Sequence, residues 1–269
     1  MPEQPSQTVN DTEIRVIGMS RSGNHALIRW ITAQLDGRTC FLNCAEPKTN
    51  PFRSARPLRG GHVYEANYDL DLAAEQAGDF SRKDTLVHSY EDAFLGMVCG
   101  DDFEQNHDDW VGPSARRVDV LVLRDPFNLF ASRRRASYAV VTPHTARRIW
   151  KQHAREFAQG PRHLRPDHVL VRYNDWARDE AYRAEIARQL GLRFTDAGIN
   201  RVPDVGAGSS FDGTAYDGRA SEMDVLGRWR HYADDPDFLD FLDDPDLQAL
   251  SDEVFGPIPG TEQLAGASV

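Results

Sequence analysis

A chain of 269 residues with 40% apolar content suits one large α/β domain better than two small ones. A net charge of -11 argues against nonspecific nucleic-acid binding, and the lack of a long apolar run argues against a membrane span. Cys40, Cys44 and Cys99 lack zinc or redox spacing and no signal-peptide pattern is present, so free thiols in a cytoplasmic protein are expected.

Residues 1–12 read as a polar, disordered tail, 13–258 as a single domain, and 259–269 as a second tail. Ile14, Val16 and Ile17 predict a strand, and Ala26, Leu27, Trp30 and Ile31 predict an amphipathic helix to about Leu35. Between them runs Gly18-Met-Ser-Arg-Ser-Gly-Asn-His25. A glycine-bearing loop at a strand-to-helix junction aims backbone N–H groups at an anion, which the helix dipole also favours. Gly18 and Gly23 allow close approach, and Arg21 adds permanent positive charge. The loop has the Gly-x-x-x-x-Gly of a nucleoside triphosphate loop, but Asn24 and His25 replace Lys followed by Ser or Thr. Without the magnesium-holding hydroxyl, it suits a transfer that needs no metal.

Residues 47–61, rich in Pro, Arg and Gly, read as a long surface loop, and Thr85 to His88 as a buried strand. Val118 to Leu123 is continuously apolar, so both its faces are expected to be covered. Asp125 caps a following helix with Pro126 at its first position. A helix from Thr142-Pro143, a strand at Val169 to Val171, and a helix closed by Gly191 complete the alternation. The pattern predicts a doubly wound, mostly parallel sheet with helices on both faces. The stretch from Gly206 to Trp229 is too long for a mere connection. The seven aspartates of 234–246 read as Asp-Pro helix caps on a solvated face.

Arg124 ends a strand and Ser132 follows eight residues later, a guanidinium and a hydroxyl suited to a second phosphate. In a doubly wound sheet both anion sites fall on the rim formed by the strands' carboxyl ends. Two sites on one rim imply a ligand with two anionic ends.

These residues resemble sulfotransferases that use 3′-phosphoadenosine 5′-phosphosulfate (PAPS), which have a P-loop-like fold. Arg-Ser-Gly-Asn-His (21–25) resembles the family's phosphosulfate loop, and Arg124 with Ser132 its 3′-phosphate motif, including the spacing. Tyr173, in Val169-Leu-Val-Arg-Tyr-Asn-Asp175, resembles the tyrosine that reaches adenine. Ser209-Ser210-Phe211-Asp212 resembles the adenine-pocket segment, and Gly227-Arg-Trp-Arg230 the end of the loop closing over the nucleotide. The matches span about residues 14 to 232 in family order.

The resemblance implies in-line sulfuryl transfer to a hydroxyl or amine of a small-molecule or glycan acceptor. It assigns donor binding to Arg21, Ser22, Gly23, Asn24, His25, Arg124, Ser132, Tyr173 and Ser210. The sequence departs from the family at three points. Arg21 replaces a lysine; Ala26 replaces an adenine-stacking tryptophan, for which Phe211 is the substitute; and Arg219 stands in for a missing Arg-Lys-Gly. Arg21 also stabilises the leaving group. His88 and Glu91 are level as candidate bases, with Glu46 behind them. The acceptor pocket is expected to border 47–61, Asp101–Trp110 and Arg133 to Tyr138. Neither acceptor identity nor oligomeric state is legible. The alternatives are a P-loop kinase or nucleotidase, with Asp125 as magnesium ligand, and a non-catalytic nucleotide-binding module.

Overall fold

The computed structural model describes residues 8–58, 61–136, 141–202 and 208–264. Its six strands are β1 (Asn10–Gly18), β2 (Thr39–Leu42), β3 (Tyr64–Ala66), β4 (Lys83–Glu91), β5 (Ser114–Leu123) and β6 (His168–Arg172). They form one sheet in the order β3-β2-β4-β1-β5-β6, with β3 antiparallel to β2 and the other neighbours parallel. From β1 the chain builds β2 to β4 on one side, then crosses to β5 and β6 on the other. The strand order therefore reverses at β1, and a crevice at its carboxyl end is the expected ligand position.

Strand parity divides the core. Ile14, Val16, Val87, Val118, Val120 and Val169 face α1 (Asn24–Thr32) and α9 (Glu180–Leu190), whose Leu27, Ile28, Ile186 and Leu190 complete that layer. Ile17, Leu86, Tyr90 and Leu121 point the other way, toward Phe52 of α2 (Pro51–Ser54) and Phe103 and Val111 of α5 (Asp101–Val111). Each such side chain contributes roughly 1.5–3 kcal/mol on full burial. A third cluster joins α6 (Pro126–Ala136), α7 (Pro143–Ala158), α10 (Pro236–Leu242) and α11 (Pro245–Phe255) through residues such as Phe130, Trp150, Phe238 and Leu247.

The alternating architecture is as expected, and several boundaries move. The first strand begins at Asn10, inside the stretch read as a disordered tail, because the buried Asn10 amide donates to the carbonyl of Val111 at 2.9 Å. The 47–61 loop contains α2, capped by the Asn50 side chain. At the other end of the chain, Thr261–Gln263 forms a single 3-10 turn within the second expected tail. Asp235 and Asp244 do cap α10 and α11, but the acidic face is not simply solvated. Asp235 pairs with Arg134 at 2.6 Å and Asp244 with Lys151 at 2.9 Å.

Candidate active site

The carboxyl ends of β4, β1, β5 and β6 lie side by side, and each delivers residues to one cavity. Gly18 stands opposite Glu91 in the β1–β4 register; Arg124 directly follows β5, and Tyr173 directly follows β6 as the first residue of α8 (Tyr173–Trp176).

The β1–α1 loop is fixed by tight packing and a web of hydrogen bonds. A Cβ at Gly18 would lie 2.1 Å from Asn24 Oδ1, and one at Gly23 would lie 2.2 Å from the Tyr173 ring. Gly23 also has φ 97° and Arg21 φ 74°, left-handed values that for Arg21 store backbone strain. The Asn24 amide donates to the Met19 carbonyl at 3.1 Å and to Glu91 Oε1 at 2.9 Å; the Ser22 hydroxyl donates to Asn24 Oδ1 at 2.8 Å. From outside, Arg133 donates to the Ser20 carbonyl at 3.1 Å and to Asp92 at 2.6 Å, and Asp92 accepts from Ser20 N–H. The first turn of α1 has no side-chain cap, so its N–H groups remain for a ligand.

Arg124 Nη1 donates both to the Arg21 carbonyl and to Ser132 Oγ, each at 3.2 Å. Its Nη2 donates to the Val225 carbonyl, while its buried Nε meets no acceptor among the described residues. Burial lowers the Arg124 pKa, and the nearby Arg228 and Arg21 guanidinium groups push it the same way. Burial also lowers that of Arg21, against the opposing pull of Glu91; its Nη2 donates to the Gly208 carbonyl at 2.8 Å. Five arginines (Arg21, Arg124, Arg178, Arg201 and Arg228) and one carboxylate, Glu91, line the cavity among the described residues. Arg228 pairs with Asp212, which lies outside this lining, whereas the buried Arg124 has no carboxylate partner among the described residues, a setting that suits an anionic ligand.

Of the residues singled out from sequence, Arg21, Gly23, Asn24, His25, Glu91, Arg124, Ser132, Tyr173 and Ser210 line this cavity. Ser22 braces it from beneath, and His25 Nε2 lies 2.8 Å from Asn43 Oδ1. Four others do not line it. His88 is sealed in the core, 3.1 Å from Glu13 Oε1 and stacked on Phe103, because its strand parity turns it to the α5 face. Glu46 is exposed and lies outside the cavity lining. Phe211 packs against His231 and Arg228 beside a separate cavity. Arg219 is exposed and pairs with Glu222 at 3.3 Å.

Several expectations about neighbouring segments change as well. Asp125 is buried, and its oxygens accept from Asn128 N–H and from the amides of Asn128 and Asn174, all at 2.9–3.0 Å. It caps α6 as expected and presents no free face to a magnesium ion. Helix α5 covers one sheet face through Phe103 and Val111, and Arg133 anchors the loop. Ser137 and Tyr138, the end of the stretch expected to border the acceptor, lie outside the described residues.

Sequence reasoning missed Trp176, Arg178 and Arg201, and it reached Arg228 only as part of the Gly227–Arg230 segment. Trp176 lines the cavity and stacks on Tyr173, with ring centroids 5.6 Å apart. Its position one helical turn after Tyr173 was a readable signal.

No protein-family model matches the chain, and no curated protein matches its sequence. Among solved structures it is similar to the sulfotransferase domain of the Synechococcus PCC 7002 olefin synthase, at 13% identity and a TM-score of 0.55, over 93% of this chain and 96% of that one. It also matches mouse sulfotransferase SULT7A1 complexed with PAP, at 12% identity and a TM-score of 0.46, over 97% and 87%. The chain therefore has the mixed α/β fold of the olefin synthase domain, a mostly parallel sheet flanked by helices.

Proposed function

We propose that the chain moves a sulfuryl group from PAPS to a hydroxyl or amine of a small-molecule or glycan acceptor. One observation carries the reading: Arg124 Nη1 reaches Ser132 Oγ and the Arg21 carbonyl together, joining both arginine-bearing turns in one cavity. The fold shared with a sulfotransferase domain supports it.

The residues fit such a donor. Arg21 and the N–H groups of the β1–α1 loop suit its 5′ end; Arg124 and Ser132 suit its 3′-phosphate. Tyr173 and Trp176 offer aromatic surface for the base. When bound, the donor supplies a sulfuryl group activated by its bond to a phosphate oxygen. Arg21 and the helix N–H groups stabilise negative charge on that oxygen as its bond to sulfur breaks. Glu91 takes the acceptor's proton as the new bond to sulfur forms, and the Asn24 amide holds Glu91 in place. His25 and Asn24 border the transferred group. Of the three candidate bases, Glu91 is the one at the cavity.

The test measures calorimetric binding of 3′-phosphoadenosine 5′-phosphate (PAP), and transfer from PAPS to metabolite pools read by mass spectrometry. Glu91→Gln should lower kcat by about 10²–10⁴-fold and leave PAP affinity within about threefold. Failure of the wild type to bind PAP or transfer sulfate would discard the reading; magnesium-dependent ATP turnover in its place would restore the kinase alternative.

A further inference from the structure

Two cations on the cavity wall have no part in the proposed chemistry. Arg178, two residues beyond α8, and Arg201 both line the cavity and are exposed. Neither side chain forms an ion pair or hydrogen bond among the described residues. Carboxylates are not scarce nearby. On the same stretch Arg172 pairs with Asp175 at 2.6 Å, Arg183 with Asp196 at 2.8 Å and Arg188 with Glu185 at 2.5 Å. Among the described residues, Arg178 and Arg201 stay unpaired where their neighbours do not, and the described wall beside them is uncharged, formed by Ala177, Ile199 and Val202.

The rest of the molecule makes this placement consequential. A chain of net charge -11 repels an approaching polyanion, and that repulsion is screened only beyond about 8 Å at physiological salt. Exposed guanidinium groups at a cavity mouth with low-dielectric walls reverse the field locally and raise the arrival rate of anions. Being solvated, they offer little to a ligand already seated on the half-buried Arg21 and the buried Arg124.

We infer that Arg178 and Arg201 form an electrostatic capture site at the cavity mouth, speeding the arrival of a polyanionic adenosine nucleotide rather than holding it once bound. This rests on the proposed donor class. Stopped-flow binding of PAP to the full chain tests it, using Arg178→Gln, Arg201→Gln and the double variant. In about 50 mM salt the double variant should associate roughly tenfold more slowly with dissociation unchanged, and the gap should close in about 0.5 M salt. Unchanged association, or a loss carried by faster dissociation that persists in high salt, overturns the capture role while leaving the donor assignment standing. A wild type that does not bind PAP takes both down.

Discussion

Two groups of buried charge share one sheet and are balanced in opposite ways. Under α5, Arg15 forms a two-pronged pair with Asp119 at 2.9 and 2.8 Å, Arg165 reaches Asp119 at 3.2 Å, and Glu13 is bonded by Ser114 and lies against His88 and His107. At the carboxyl rim, Arg124 instead donates to carbonyl and hydroxyl oxygens, and guanidinium groups outnumber carboxylates among the described residues that line the cavity. The titration shifts follow the balance. Burial opposes the charged form of Arg15 and Asp119, yet their mutual attraction wins, raising the one and lowering the other. Burial of Arg21 and Arg124 is not so offset, and both are lowered. Removing a member of the closed set leaves a buried charge unpaired, whereas the open set has the composition that an anionic ligand would complete.

The sharpest way to break this contrast is to remove one member of the closed set. Asp119→Ala leaves Arg15 buried without its principal partner, a change that costs about 3–5 kcal/mol. For a domain of this size the melting temperature should fall by roughly 6–20 °C in a calorimetric scan. A variant that melts like the wild type would show that the cluster is not a structural unit.

In the open set the same kind of change should act on binding. Arg124→Gln removes a cation that has no carboxylate partner among the described residues, so stability should stay within about 1 kcal/mol or rise. PAP affinity should fall by about 1.5–3 kcal/mol, the worth of hydrogen bonds to a charged group. A melting loss as large as that of Asp119→Ala, with affinity intact, would put Arg124 in the structural class.

How much of this was legible depends on range. The β1 strand, its loop, the caps at Asp125 and Thr142, and the Gly191 stop are local signals, and all are present. The short β2 and β3 gave no comparable signal, because their pairing comes from distant residues such as the Cys40–Leu86 and Phe41–Glu65 register pairs. His88 and Glu91 looked equivalent by position, yet they are an odd number of residues apart on one strand and so face opposite ways. That signal was in the sequence and went unused. Phe211 and Arg219 sit in irregular chain, where no periodicity indicates direction, and the closed set itself was hidden as polar letters scattered over β1, β4, β5 and α5.

Acid should act through buried histidines, with the smallest effect of the three. His153 is fully buried, lies 3.1 Å from the Ala93 carbonyl, and is pushed down by that burial to about 4; burial also lowers His88 despite its contact with Glu13. A histidine with a folded pKa below its unfolded value of about 6.5 is protonated first in the unfolded chain. Its contribution is therefore complete above about 6.5 and is lost as pH falls toward 4. For His153 the loss between pH 7 and pH 5 is about 1–2 kcal/mol, measurable by denaturant titration. Glu13 adds a later loss: burial would raise its pKa, but the hydrogen bonds from His107 and His88 outweigh this and hold it well below 4.5. That stability is present above the ordinary carboxylate range and disappears as pH falls through the depressed folded value. The rim guanidinium groups keep their charge throughout. His153→Gln should flatten the slope between pH 6.5 and 4; an undiminished slope would assign the proton to another group and remove His153 from the account.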